Sequence, residues 1–218
     1  VEAVRHGKYA DLFRHAFGNQ IFEEPDKAFA AVGAALQAYQ VEDPSFHPFS
    51  SKFDLYRRNK VGGALTDAEM RGLRVFMEEK KGNCMACHLV GAANRGSQDI
   101  TSDYSFNAIA VPRNPEIPAN ADPEYFDLGL CGPLRTDHDP RKNPEDGKTC
   151  GMFKTPILRN ASTRQVFMHN GVFKSLEDVV RFYNTRDTHP EKWYPTDASG
   201  KVNKFDDLPA QYHANIDK

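Results

Sequence analysis

The chain has 218 residues, of which 39% are apolar and 27% charged, and its formal net charge is −2 at pH 7. This composition is typical of a soluble globular protein, and the length can bury a substantial core. No apolar run approaches the roughly 18 residues that a membrane helix needs. The near-neutral charge gives no electrostatic reason to bind nucleic acid or an anionic membrane surface. The chain starts at Val1 without a signal peptide, which indicates a mature or trimmed form.

Two amphipathic helices are predicted first in the chain, over residues 8–17 and 26–40. The residues expected to face the core are Tyr9, Leu12, Phe13, Ala16 and Phe17 in the first helix and Phe29, Val32, Leu36 and Tyr39 in the second. Residues 42–63 contain prolines and a Gly-Gly pair and lack a helical period, so we expect irregular chain there.

A third helix is predicted from Thr66 to the residue before Gly82. Thr66 and Glu69 form a capping box, which is typical of a helix start. The residues expected to face inward are Leu73, Phe76 and Met77.

Residues 91–160 are rich in Pro, Gly, Asn and Asp, which indicates extended chain and turns. Such a long irregular stretch is expected to wrap around something, such as a large flat cofactor. A fourth helix follows Ser175 and has an apolar face made of Leu176, Val179, Val180 and Tyr183. No ladder of strands is predicted, so the fold class is mainly α.

The sequence Cys-x-x-Cys-His occurs once, at Cys84, Cys87 and His88. A zinc site needs about four ligands, and the chain offers no second closely spaced pair of cysteines or histidines. A thioredoxin-like dithiol follows a strand, whereas a predicted helix precedes these cysteines. Covalent haem uses every residue of the motif, because the thiols add to the porphyrin vinyl groups and the histidine ligates the iron. We therefore predict haem c here, with His88 as the proximal ligand.

The motif also bears on the two remaining cysteines, Cys131 and Cys150. Haem c is attached outside the bacterial cytoplasm, so the motif predicts a periplasmic protein. In an oxidising compartment we expect Cys131 and Cys150 to form a disulfide. Closing a loop of this size contributes about 3 kcal/mol to stability. The alternative is a pair of buried free thiols.

Several stretches of the sequence together resemble one family. The segment FKTPILRNASTRQVFMHNGVFKSLEDVVRFYN, residues 153–184, is similar to the C-terminal haem domain of the bacterial dihaem cytochrome c peroxidase and MauG family. LTDAEMRGLRVFMEEKKGNCMACH resembles the segment leading into that family's second haem motif, and DLGLCGPLR and CGMFKTP resemble one branch of it. YADLFRHAFG is similar to the end of the first haem domain. The resemblance implies a helical remnant of that domain over residues 1–60. It implies a cytochrome c-like domain with covalent haem c and long irregular loops over residues 61–218.

The chain departs from this family in its number of haem motifs. Members carry two Cys-x-x-Cys-His motifs, and this chain carries one. The N-terminal motif is missing, together with its distal acidic group, and so is the closing helix of the family. Three explanations stay open: a fragment or trimmed form, a first haem on another chain or segment, or a monohaem derivative.

The resemblance implies an enzyme that couples electron transfer to peroxide reduction or to oxidation of a protein substrate. Its activity is expected to need a second haem that this chain does not encode. The implied partners are a protein substrate or an electron donor such as a small cytochrome c or a cupredoxin. The alternative is a non-enzymatic monohaem electron-transfer cytochrome, because a six-coordinate haem without a distal acid or base has no place to activate peroxide.

The resemblance also implies a ligand on the opposite face of the iron. Family peroxidases have a ligand methionine at the position of Tyr183, and MauG-like members have a tyrosine there. Phenolate favours Fe(III) and stabilises higher oxidation states, so we expect Tyr183 to be the distal ligand. The alternatives are Met168, which would give a high-potential His/Met pair, and, more weakly, Met152. A tyrosine on an apolar helix face is otherwise usually a core residue.

Further residues are expected near the cofactor. The resemblance implies that His169 bonds a propionate or a backbone group, with a structural histidine as the alternative. Arg159 is expected to neutralise a propionate or to form a surface salt bridge. The family's calcium ion is held partly by main-chain carbonyls, which here would belong to Arg164 and Val166.

The remaining candidates have simpler interpretations. Trp193 is either an electron relay or, as the sequence favours, an anchor for its loop. The histidines without ligand-like spacing are His6, His15, His47, His138, His189 and His213.

Overall fold

Helices make up most of the regular structure, as the sequence predicts. The computed structural model describes residues 1–46, 48–90, 101–133, 135 and 137–217. His47, Leu134 of the DLGLCGPLR stretch and residues 91–100 of the irregular segment lie outside these residues. The α-helices are α1 (Glu2–Arg5), α2 (Ala10–Phe17), α3 (Pro25–Glu42), α4 (Lys52–Arg57), α5 (Asp67–Met77) and α6 (Leu176–Thr185).

Short elements fill the long segments between the helices. Two-residue strands β1 (Phe106–Asn107) and β2 (Phe153–Lys154) pair antiparallel. The 3₁₀ turns are Ile21–Glu23, Pro44–Phe46, Cys84–Ala86, Pro118–Ala121, Pro144–Thr149, Ala161–Thr163, Pro190–Lys192 and Ala210–Asn215. No helix in the described parts of the chain combines the length and apolarity needed to cross a membrane.

The chain divides into two compact units, Val1–Ala64 and Leu65–Lys218. The division predicted after residue 60 lies close to this boundary. The assignment of the units to a first-domain remnant and a haem domain stays a prediction.

The first unit buries small side chains of α3 rather than its large ones. Its core contains Phe13, Phe22, Ala28 and Ala31. The apolar residues of α2 and α3 that we expected inside but that lie exposed are Tyr9, Leu12, Phe17, Phe29, Leu36 and Tyr39. Alanines and large apolar residues recur on different faces of α3, so periodicity indicates the helix but not which face is buried.

The expectation of irregular chain over residues 42–63 was wrong for α4. The Ser51 side chain accepts from the Asp54 amide at 3.1 Å, and the Asp54 carboxylate accepts from the Ser51 amide at 3.0 Å. This reciprocal capping box satisfies two donors at the helix start. The Ser-x-x-Asp spacing was visible in the sequence but lacked the apolar run that usually accompanies it.

The capping box at the start of α5 is confirmed. The Thr66 amide donates to the Glu69 carboxylate at 2.7 Å, and the Glu69 amide donates to the Thr66 hydroxyl at 3.2 Å. The helix ends at Met77, several residues before Gly82. None of its residues is buried, and Met77, expected inside, is 42% exposed. Leu73 and Phe76, also expected inside, are half-buried, so the apolar face of α5 is only partly covered.

The second unit has its main core under α6. Phe182 is fully buried and packs with Val111, Phe173 and Tyr194. Val179 packs against the same cluster. The other apolar residues of α6, on the face away from this cluster, are exposed and consist of Leu176, Val180 and Tyr183. One helix thus supplies a core face and a second, exposed apolar face.

We predict that Phe182→Ala lowers the free energy of unfolding by about 3–5 kcal/mol, because a fully buried aromatic ring is removed from a packed cluster. Chemical denaturation measures this change. The matched control is the neighbouring Arg181→Ala, which removes only an exposed pair with Glu177 and is expected to change stability by less than about 1 kcal/mol. Equal effects of the two variants would contradict the assigned core.

Candidate cofactor site

The Cys-x-x-Cys-His motif forms a tight turn after α5. Asn83 enters it in the left-handed conformation, with φ of 48°. The amides of Cys87 and His88 then donate to the Cys84 carbonyl at 3.3 and 2.8 Å. One turn of 3₁₀ helix therefore presents both thiols and the imidazole together.

Both thiols of the motif are unbonded and half-buried. Burial raises the pKa of Cys84. Burial also raises the pKa of Cys87, as do the negative charges of Asp103 and Asp217. The two sulfurs are therefore neutral thiols near pH 7, rather than the thiolates that a metal site or a reactive dithiol requires.

His88 has one ring nitrogen bound and the other left for a ligand. Its Nδ1 lies 3.0 Å from the main-chain oxygen of Thr101. A histidine that donates from Nδ1 to a carbonyl is held in the tautomer whose Nε2 can bind a metal. This donor set fits the proximal ligand of a haem iron.

A short ribbon, Thr101–Asn107, holds the motif in place. The Asp103 amide donates to the Cys87 carbonyl at 2.9 Å, next to the contact between His88 and Thr101. The ribbon therefore fixes both the second cysteine and the histidine of the motif.

The other edge of this ribbon binds the segment around Thr155, which is buried. The Ser102 hydroxyl donates to the Thr155 carbonyl at 2.8 Å, and the Asn107 side-chain amide donates to the Thr155 hydroxyl at 2.8 Å. The Thr155 amide donates to the Ser105 carbonyl at 2.9 Å. The resemblance drew attention to Thr155–Pro156, but no sequence signal indicated this hydrogen-bonded role.

Tyr183 lies close enough to the motif for its two cysteines to act on it electrostatically. Its side chain is 53% exposed, so it is not the core tyrosine that its helix face would suggest. Burial nevertheless raises its pKa, and the negative charges that Cys87 and Cys84 carry once they ionise raise it further. The structure therefore brings Tyr183 and the motif to the same region of the second unit.

Large apolar side chains are exposed on the same elements. They flank the motif (Val75, Met77, Leu89), occupy the ribbon and the segment beside it (Tyr104, Phe106, Ile157) and line α6 (Leu176, Val180). Several large apolar side chains exposed around one motif are typical of a site that a bound group covers. The residues present fit a flat apolar group such as a porphyrin.

The alternative ligand methionines point elsewhere. Met168 has φ of 67° and packs against the Phe173 and Phe182 cluster. Met152 is half-buried beside Cys150. Packing of the Met168 thioether in the core favours Tyr183 over Met168 as the distal ligand, and ligation itself stays a prediction.

His169 stacks on the ring of Phe153, with centroids 3.5 Å apart and planes 8° from parallel. Burial lowers the pKa of His169 to about 4, and Asp127 opposes this shift. The imidazole is therefore neutral at physiological pH.

A buried polar network lies next to His169. The Asn170 side-chain amide donates to the Pro112 carbonyl at 2.8 Å and to the Asp207 carboxylate at 3.0 Å. Asn114 donates to the Asn170 carbonyl at 2.8 Å, and Arg113 pairs with Asp207. The resemblance pointed to Asn170 only as part of a motif, and the partners, distant in sequence, could not be predicted.

The remaining predicted residues have the following positions. Arg159 is half-buried beside the Leu158–Asn160 turn, and its contact with a propionate stays a prediction. Cys131 and Cys150 are joined, with sulfurs 2.21 Å and Cα atoms 5.0 Å apart. Trp193 donates from Nε1 to the Thr185 hydroxyl at 2.9 Å and packs edge-on against Phe182, as an anchor of its loop would.

The side chains of Arg164 and Val166 are exposed. Among the described residues, no three His, Cys, Asp or Glu side chains form a metal-binding group. The calcium prediction rests on main-chain carbonyl oxygens, so a search for side-chain ligands among the described residues does not test it. Four of the histidines without ligand-like spacing have polar partners. Three contact acidic side chains, and one contacts a main-chain carbonyl: His6, His138, His189 and His213.

The fold and the site define a mainly α protein of the cytochrome c class. No protein-family model matches the chain. The methylamine utilization protein MauG of Paracoccus denitrificans is 31% identical over 178 residues, which are 81% of this chain and 42% of that protein. The cytochrome-c peroxidase IdrP1 of Pseudomonas sp. (strain SCT) is 30% identical over 190 residues, covering 81% of this chain and 45% of the relative.

A solved structure gives the same result. The dihaem peroxidase BthA of Burkholderia thailandensis superposes with a TM-score of 0.81 at 39% identity, covering 98% of this chain and 49% of that one. The chain therefore belongs to the dihaem cytochrome c peroxidase and MauG family. It spans about half the length of these relatives.

We predict that His169 makes stability depend on pH. Its pKa is lower in the folded chain, about 4, than its ordinary value of 6.5. The unfolded chain therefore binds one more proton between pH 6.5 and 4, and stability falls as the pH falls through this window. Denaturation at several pH values should show a smaller loss for His169→Gln than for the wild type. Identical pH profiles would contradict the neutral, recessed imidazole.

Proposed function

We propose that this chain is a periplasmic c-type haem protein of the dihaem peroxidase and MauG family. In this proposal it carries the haem that exchanges electrons during peroxide reduction or oxidation of a protein substrate. The observation that carries the proposal is the shared location of the Cys84–His88 turn and Tyr183. A motif for covalent haem and a candidate distal ligand come from distant parts of the sequence, yet the two cysteines act electrostatically on Tyr183, and exposed apolar side chains lie on the elements that carry both.

The chain's own groups suit covalent attachment. Cys84 and Cys87 are neutral thiols, and addition of each S–H across a vinyl group forms a thioether without an added oxidant. His88 Nε2 is left for the iron because Nδ1 faces the Thr101 carbonyl. When bound, the haem supplies the one-electron redox chemistry, while the protein sets its ligation and surroundings.

Tyr183 and His169 have separate roles in this proposal. Tyr183 is the distal ligand, and its phenolate lowers the reduction potential relative to a thioether. Burial raises the pKa of free Tyr183, so iron binding must displace the proton to obtain the phenolate. Neutral His169 and Arg159 are proposed to contact the propionates.

In this proposal, catalysis also needs an electron donor and a second haem. Reduction of hydrogen peroxide to two waters consumes two electrons and two protons, so an electron donor is required. We assign that role to a small cytochrome c or a cupredoxin, and the peroxide site to a second haem on another segment or chain. A protein substrate is the corresponding partner for a MauG-like activity. A calcium ion on the Arg164 and Val166 carbonyls stays part of the proposal.

Covalent haem is tested by the pyridine haemochrome spectrum together with the intact mass. We expect one haem per chain in the wild type and loss of covalent haem in the Cys84→Ala/Cys87→Ala double variant. Met85→Leu is the control, because Met85 lies between the cysteines and its sulfur takes no part in attachment. Unchanged covalent haem in the double variant would reject the site.

The same preparation separates the enzymatic proposal from a simple electron carrier. A second haem on a co-purifying chain, or on a longer form of the protein, supports a dihaem peroxidase. One haem, no partner and no turnover of peroxide with a reduced cytochrome would instead show a monohaem electron-transfer protein.

The distal ligand is tested by Tyr183→Met and Tyr183→Phe. We expect Tyr183→Met to gain a thioether-to-iron charge-transfer band and a higher potential, within the roughly 0.8 V range that axial ligands span. Tyr183→Phe should change the ferric spectrum as well. Tyr39→Phe is the control, since Tyr39 is similarly exposed, at 55%, but lies on α3 of the first unit. A thioether band in the wild type, or an unchanged Tyr183→Phe spectrum, would reject Tyr183 in favour of Met168.

A further inference from the structure

We propose that Thr101 is a positioning residue that fixes the orientation of the His88 imidazole relative to the Leu158–Asn160 turn. This inference rests on the proposed function, because it assigns Thr101 a role at the predicted proximal ligand. Nothing in the sequence or in the family resemblance drew attention to this threonine.

Thr101 makes one hydrogen bond to a residue that precedes it in the sequence and one to a residue that follows it. Its carbonyl oxygen faces His88 Nδ1 at 3.0 Å, and its hydroxyl accepts from the Leu158 amide at 2.8 Å. One residue therefore joins the motif to a segment distant in sequence. The Leu158 turn continues into Arg159, one of the residues predicted to contact a propionate.

The backbone of Thr101 supports a specific role. Its φ is 57°, in the left-handed region. A β-branched residue is uncommon there, because its side chain crowds the backbone. A threonine kept in this conformation must be held by its contacts, which include those to His88 and Leu158. The left-handed turn is what aims the carbonyl at the imidazole and the hydroxyl at Leu158.

The residues of the ribbon that follow Thr101 are held by their own hydrogen bonds, so the Thr101 hydroxyl is the group whose removal we expect to change the orientation of Thr101. Ser102 is tied to Thr155, and Asp103 is tied to Cys87, immediately after Thr101. These bonds fix the C-terminal side of Thr101. The bond from Leu158 fixes the side chain, and through it the orientation of the peptide group whose carbonyl meets His88.

When a carbonyl accepts a hydrogen bond from Nδ1 of a histidine that ligates a metal through Nε2, the ring becomes a stronger electron donor to the metal and its plane is fixed. If Thr101 loses its hydroxyl, the carbonyl is less well held and this hydrogen bond weakens. A weaker imidazole donor stabilises Fe(III) less, so the midpoint potential should rise.

The test compares Thr101→Val with Thr101→Ser in the full chain. Valine keeps the β-branched shape and the same backbone strain but has no hydroxyl, whereas serine keeps the hydroxyl. Thr188→Val, at an exposed turn of the same unit, controls for the exchange of threonine for valine. The readouts are hydrogen exchange at the Leu158 amide, hydrogen exchange at His88 Nδ1–H by NMR, and the midpoint potential.

We expect Thr101→Val to exchange at both positions at least about tenfold faster, the equivalent of losing one hydrogen bond of about 1.4 kcal/mol. Its potential should shift upward, while Thr101→Ser and Thr188→Val stay near the wild type. Unchanged exchange at His88 in Thr101→Val, with faster exchange at Leu158, would reduce Thr101 to a loop contact and overturn the inference.

The outcome stays separate from that of the proposed function. A chain without covalent haem would reject the proposed function, yet exchange at His88 and Leu158 would still decide whether Thr101 orients the ring. A haem-loaded chain whose Thr101→Val variant keeps wild-type exchange and potential would reject the inference alone.

Discussion

The hydrogen bonds along the Thr101–Asn107 ribbon hold together the parts of the candidate site. On one edge the ribbon binds the Cys87 carbonyl and the His88 ring. On the other edge it binds Thr155 and Leu158. Most of these bonds use backbone groups or short polar side chains that are at least half-buried, where an unmade bond is costly. The site is therefore built by a short ribbon between two loops, not by a helix bundle.

The second contribution comes from the two faces of α6. Phe182 fixes the helix in the core, and Tyr183, the next residue, is exposed on the side where the cysteines of the motif act on it. Adjacent residues on a helix lie about 100° apart, so a rigidly packed Phe182 defines the direction of Tyr183. In the proposed function, this is how a tyrosine in an apolar sequence stripe is presented to the cofactor instead of being buried. The amphipathic pattern alone could not separate these two faces, because both are apolar.

Much of the architecture could be predicted from the sequence, since caps and apolar period are local signals. The capping box at Thr66, the long α3 and the helix after Ser175 were found in this way. The buried faces of α2 and α3 were predicted only in part. Phe13 and Val32 contact the core as expected, but most of the other large apolar residues are exposed, because the choice between alanines and large apolar residues depends on the packing partner. The motif at Cys84, Cys87 and His88 could be interpreted directly. Thr101, Asn170 and the Phe153–His169 stack could not, because their roles come from contacts between distant segments.

The position of α5 links the fold to the proposed cofactor. Its eleven residues include none that is buried, and its N-terminal capping box contributes only about 1 kcal/mol. An isolated helix of this length is marginal in water, so a folded α5 needs a tertiary contact along its apolar face. In the proposed function the porphyrin supplies that contact, immediately before the turn that binds it. Attachment of the haem and ordering of α5 would then be one process, because the helix and Cys84 share the same short stretch of chain.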